Sequence, residues 1–115
     1  MEAEDRHTRW LSELGRFSEP GLLVLASLAA GPRHGYAIMR DIQHFHGARI
    51  EPGTLYGALS RLEGRGWIEA LPSEERRKPY RITKAGGDVL RRHLATMQKV
   101  VVIGLGRLDV AEAGQ

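Results

Sequence analysis

Apolar positions along the chain change their spacing from block to block, and each change marks an element. In RHTRWLSELGRF, Trp10, Leu11, Leu14 and Phe17 recur at helical spacing, which predicts a short amphipathic helix within residues 1–17. GLLVLASLAA, residues 21–30, is apolar on nearly all sides, so it is expected as a central helix. Ser18 or Glu19 stands in N-cap position before Pro20, and Gly31-Pro32 stops the run. YAIMRDIQHF, residues 36–45, carries Ile38, Ile42 and Phe45 on one face with Arg40 and Gln43 away from it, a second short helix ending by Gly47. Residues 48–50, Ala-Arg-Ile, either pair as a short strand or bridge to the next element.

EPGTLYGALSRLEGRGWIEA, residues 51–70, opens with a proline suited to a first helical turn and offers Gly64 or Gly66 to end the helix. On a wheel of about 100° per residue, Leu55, Ala58, Leu59 and Leu62 fall together and face the core. The opposite side presents Gly53, Gly57, Ser60, Arg61 and Gly64, flanked by Thr54 and Tyr56. Trp67 to Leu71 and Tyr80 to Thr83 then read as strands around a charged, proline-containing tip, a β-hairpin. Thr83 is placed to cap a last helix from Lys84, along which Leu90, Leu94, Met97, Val101 and Leu108 alternate spacings of four and three, with Gly104 in the one gap. Compact helices followed by a two-stranded wing predict a mainly α fold, a winged helix-turn-helix with helices added at either end. The expected division is an N-terminal helix at 1–17, the winged domain at 18–83, the last helix at 84–108 and a flexible tail at 109–115.

The small, polar, basic face of the helix at 52–65 is what the major groove of DNA requires, since the groove is only about 12 Å wide and glycines let a backbone approach closely. Each glycine costs roughly 1 kcal/mol of helix propensity relative to alanine, which an ordinary surface helix has no reason to carry. At the hairpin tip, Arg76, Arg77 and Lys78 could neutralise phosphates or enter a minor groove, although Glu74 and Glu75 reduce the local field. Charge agrees: residues 21–107 hold fourteen Lys/Arg against seven acids, and both ends are net acidic.

Other chemistry finds little support. The chain has no cysteine, which removes disulfides and thiolate metal sites and suits a reducing, cytoplasmic setting. His44 and His46 are two apart on a helix, so their rings diverge and no metal site is expected. No nucleophile, carboxylate pair or phosphate loop stands in a catalytic pattern, so neither an enzyme nor a cofactor is expected. The apolar run Leu22 to Ala30 is far shorter than the roughly 20 residues that span a bilayer, so no membrane partner is expected.

HGYAIMRDI at 34–42, PGTLYGALSRLEGRGWIE at 52–69 and RRKPYRITKAGGDVLRRHL at 76–94 resemble the PadR-like transcriptional regulators. The resemblance covers roughly residues 18–94. It implies a homodimeric repressor on a pseudo-palindromic operator, with the helix at 52–65 reading the major groove and the wing touching flanking DNA. By position, Tyr36 and Tyr56 look like phosphate or base-edge contacts, Gly53, Thr54, Gly57, Ser60 and Arg61 fall to the reading helix, and Arg76, Arg77 and Lys78 to the wing. It also implies that the last helix meets a second subunit, with Leu90, Leu94, Met97 and Val101 in the contact and Trp10, Leu11 and Leu14 covering them. Some members bind flat aromatic ligands through a tryptophan on the last helix. Residues 84–108 hold no aromatic, which leaves the identity of a small-molecule effector open. The alternative reading is a winged-helix protein-interaction module that binds no DNA.

Overall fold

The computed structural model describes residues 20–114. The expected helix at 1–17, with Trp10, Leu11 and Leu14, lies outside the described residues. Within them the order is α1 (Pro20–Leu28), β1 (Arg33–His34), α2 (Gly35–His46), α3 (Pro52–Gly64), β2 (Ile68–Ala70), β3 (Pro79–Ile82) and α4 (Lys84–Ala113). α1 is central as its all-round apolarity requires, packing against α2, α3, α4 and β3. Val24, Leu25 and Leu28 from α1, Ile38 and Ile42 from α2, and Leu55, Ala58, Leu59 and Leu62 from α3 form the core, joined by Ile50, Ile68 and Leu90. Phe45, expected on the core face of α2, is half exposed instead, because it lies a turn beyond Ile42, the last α2 residue in that core.

The helix ends follow the sequence signals. His34 caps α2, its Nδ1 accepting the Ala37 N–H at 3.3 Å. Two residues past the end of α3, Gly66 takes the left-handed conformation (φ 75°), while Trp67 N–H closes back on the Leu62 carbonyl at 3.0 Å. Gly64 stays inside the helix as its last residue.

The wing has one more strand than the hairpin alone. β3 lies between β2 and β1, all antiparallel, with Arg33 opposite Tyr80 and Ile68 opposite Ile82. The third strand comes from the Gly-Pro-Arg-His turn, not from residues 48–50, which form no strand. A two-residue strand carries no alternation to read. On the exposed face Glu69 and Arg81 sit directly opposite and pair, a contact worth at most about 1 kcal/mol.

Hairpin and last helix meet at one carbonyl. Thr83 N–H donates to the Trp67 oxygen at 3.0 Å, and the Thr83 hydroxyl donates to the Gly66 oxygen at 2.6 Å while accepting the Gly86 N–H at 3.1 Å. Gly86 rests against that junction so closely that a Cβ there would overlap the Trp67 carbonyl and stand 3.0 Å from Ile82 Cγ1.

α4 buries only Gly86 and Leu90, and every described residue from Arg91 onward is exposed. Leu90, expected in a subunit contact, therefore belongs to the core of its own domain. The helix also passes through Gly104 and Gly106 and runs to Ala113, where a flexible tail from 109 was expected. Two separated glycines cost roughly 1 kcal/mol each, and Ala111, Glu112 and Ala113 are good helix formers that carry the helix on. Gly86→Ala is expected to lower stability by about 1–3 kcal/mol through overpacking against backbone. Gly87→Ala, whose Cβ would meet nothing within 4 Å, should raise it by up to about 1 kcal/mol. Thermal melting of the two variants checks the contrast.

Candidate nucleic-acid interface

Burying Leu55, Ala58, Leu59 and Leu62 turns the other side of α3 outward, and Gly53, Thr54, Tyr56, Ser60, Arg61 and Gly64 are all exposed. Gly53 is bare, with nothing within 4 Å of where a Cβ would stand. Gly57 is not bare: Arg61 Nη1 lies 3.6 Å from its would-be Cβ, so the guanidinium folds over the helix and Gly57 is only half exposed. The reading face is therefore thin at its N-terminal end and covered by a cation one turn later.

Tyr56 leaves α3 sideways. Its hydroxyl sits 2.8 Å from the Cβ position of Gly35, so glycine at the first residue of α2 makes the space the ring occupies. There it meets the wing. A cleft of about 340 Å³ is lined by His34, Gly35, Tyr36, Tyr56, Arg76, Arg77, Lys78 and Tyr80. The sequence-predicted Tyr36, Tyr56, Arg76, Arg77 and Lys78 thus converge on one concavity, and the tip cations that could have been mere solvated loop line a built surface. Thr54 and Ser60 remain apart from this cleft, on the exposed side of α3.

The electrostatics of the cleft are one-sided. Three cations and no acid line it. The Arg77 guanidinium stands 5.8 Å from the centre of the Tyr36 ring and Arg40 stands 6.0 Å from the same ring, both within cation–π range. Tyr80 is pushed above the ordinary range of a phenol, first by burial and then by Glu63 and Tyr56. Such a surface can accept a chain of phosphates: tyrosine hydroxyls for positioning, guanidinium and ammonium groups for charge.

Three contributors had no individual signal in the sequence. His34 acts here as a cap and a cleft wall, Tyr80 joins the cleft only once β3 pairs with β1, and the pattern shows of Arg40 only that it lies away from the core. All lie in or beside the segments HGYAIMRDI and RRKPYRIT, where the pattern of the stretch, not the single residue, is the available clue. Among the described residues no three His, Cys, Asp or Glu side chains are grouped to hold a metal, and no helix is long and apolar enough to cross a membrane.

Residues 24–92 match the transcriptional regulator PadR-like family. The chain is 41% identical over 85 residues to an uncharacterized 37.1 kDa protein in a transposon of Streptomyces fradiae, covering 74% of this chain but only 25% of that protein. It is 37% identical over 92 residues to a transcriptional regulator of Mycobacterium tuberculosis, covering 72% of this chain and 82% of that one. Among solved structures, a PadR family transcriptional regulator from Eggerthella lenta superposes with a TM-score of 0.71 at 33% identity, covering 94% of this chain and 96% of the other.

The two parts of the surface predict different consequences. Arg77→Ala should weaken binding to every DNA sequence alike and lower the slope of log affinity against log salt by about one. Ser60→Ala or Thr54→Ala should change which bases are preferred and leave the slope as it was. Binding titrations on several duplexes at several salt concentrations separate the two, and identical behaviour would refute the division.

Proposed function

The chain belongs to the PadR-like family of transcriptional regulators, and on that basis we propose that it is a homodimeric repressor that binds a pseudo-palindromic operator. The observation that carries this reading is the basic cleft of Tyr36, Tyr56, Arg76, Arg77 and Lys78 joined through Tyr56 to the exposed face of α3. In the proposed complex Gly53, Thr54 and Ser60 approach base edges in the major groove. Arg61 swings off Gly57 to a phosphate or a base, and the wing cations hold the flanking backbone.

Two such heads are needed for a palindrome, and α4 supports a second subunit. Beyond Leu90 it presents Leu94, Met97, Val101 and Leu108, each at least 39% exposed, along a seam at coiled-coil spacing with Gly104 in the one gap. A seam of this length open to water is the mark of an interface. Release by a small molecule is supported by a second cleft, about 530 Å³, between α1, α3 and α4, lined by Leu22, Leu25, Trp67, Leu90 and His93 among others. Its size falls within the range of small-ligand sites.

Duplex DNA from beside the gene should bind with a steep linear fall of log affinity against log salt, and no binding at low salt would refute the repressor reading. Leu94→Glu should shift the mass in solution toward a monomer and weaken operator binding by at least about tenfold, since half-sites a helical turn apart require both heads. An unchanged mass would assign the seam to another role.

A further inference from the structure

Three polar groups from three segments meet where α1, β1 and α2 adjoin. The Ser27 hydroxyl on α1, 1% exposed, donates to Asp41 Oδ2 on α2 at 2.7 Å. Asp41 Oδ1 lies 3.9 Å from the Arg33 guanidinium, and Arg33 Nε donates to the Ser27 carbonyl at 3.3 Å. Arg33 is in β1, opposite Tyr80 of β3. One carboxylate therefore links two helices of the core to the strand on which the wing leans.

Stability is a poor reason for this group. A partly buried ion pair contributes little net stability, but it does fix relative geometry. Geometry is what β1 lacks by itself, because a strand of two residues has too short a ladder to hold a hairpin at one angle. A planar guanidinium that donates to the Ser27 carbonyl and faces the Asp41 carboxylate at 3.9 Å is directional and supplies the missing constraint. The same strand runs directly into His34, Gly35 and Tyr36, which line the basic cleft. Moving Arg33 would move both the strand under the wing and the ring that faces Arg77.

We propose that Arg33 and Asp41 are positioning residues for DNA binding. They set the wing against α3, so that the wing cations and the bare end of α3 reach one duplex together. The inference rests on the DNA-binding reading above, and its test includes a measurement that does not.

Asp41→Asn keeps an acceptor for Ser27 and removes the charge that faces Arg33, and Arg33→Lys keeps the cation but removes the planar fork. Asp41→Asn should melt within about 5 °C of the unaltered protein, yet exchange its amide hydrogens faster at residues 33–34 and 80–82. Operator affinity should fall about tenfold and the salt slope by about one, as wing phosphates are lost. Combined with Arg77→Ala it should cost no more than the larger single change, whereas with Ser60→Ala the effects should add. Arg33→Lys should fall between. Full additivity with Arg77→Ala and an unaltered salt slope would overturn the proposal, as would unchanged exchange in both strands. Absence of DNA binding by the unaltered protein would defeat the reading beneath it, and the exchange data would still decide whether the network holds the wing.

Discussion

Burial of four side chains on α3 decides what the rest of the molecule can present. Leu55, Ala58, Leu59 and Leu62 are at most 4% exposed, and their removal from water contributes several kcal/mol by the usual 1.5–3 kcal/mol or so per large aliphatic chain. Because they occupy one side of a rigid helix, they leave no rotational freedom to the other. Gly53, Thr54 and Ser60 are outward as a geometric consequence of the core. Tyr56, flanking that stripe, is carried to Gly35 and so to the wing.

The wing inherits its place from the same helix. After α3 the left-handed Gly66 turns the chain into Trp67, and the Trp67 carbonyl is gripped by the Thr83 N–H. Gly86 then lets α4 start against that peptide. α3, the hairpin and α4 are thus joined within a few ångströms, so that in the proposed dimer whatever arranges α4 against a second subunit would act through a short connection on the exposed face of α3. That is an economical layout for a regulator, in which subunit geometry and groove spacing have to agree.

Much of this was legible in the sequence because it was written in strong local signals. Pro52, Gly47 and Thr83 mark element ends through backbone chemistry, and the α3 stripe has an unambiguous 3.6-residue period. The charged tip between two strand-like runs could only be a hairpin. The misses have the opposite character. β1 is too short to show a period, and the ties among Ser27, Arg33 and Asp41 depend on three segments that meet only in the fold. Leu90 satisfies both the core and the α4 seam by spacing, and only the position of α1 assigns it to the core. Arg61 over Gly57 is a rotamer, which no pattern of residue types encodes.

The Tyr36 ring between Arg40 and Arg77 has an energetic meaning separate from the charges it arranges. A free arginine side chain carries about 2 kcal/mol of rotamer entropy, all of which must be surrendered when it is pinned on a phosphate. An arginine already resting on an aromatic face has given up part of that freedom in folding. In the proposed complex the wing tip, although exposed and rich in charge, would meet DNA with a portion of the ordering done beforehand, leaving more of each charge–phosphate contact as binding free energy.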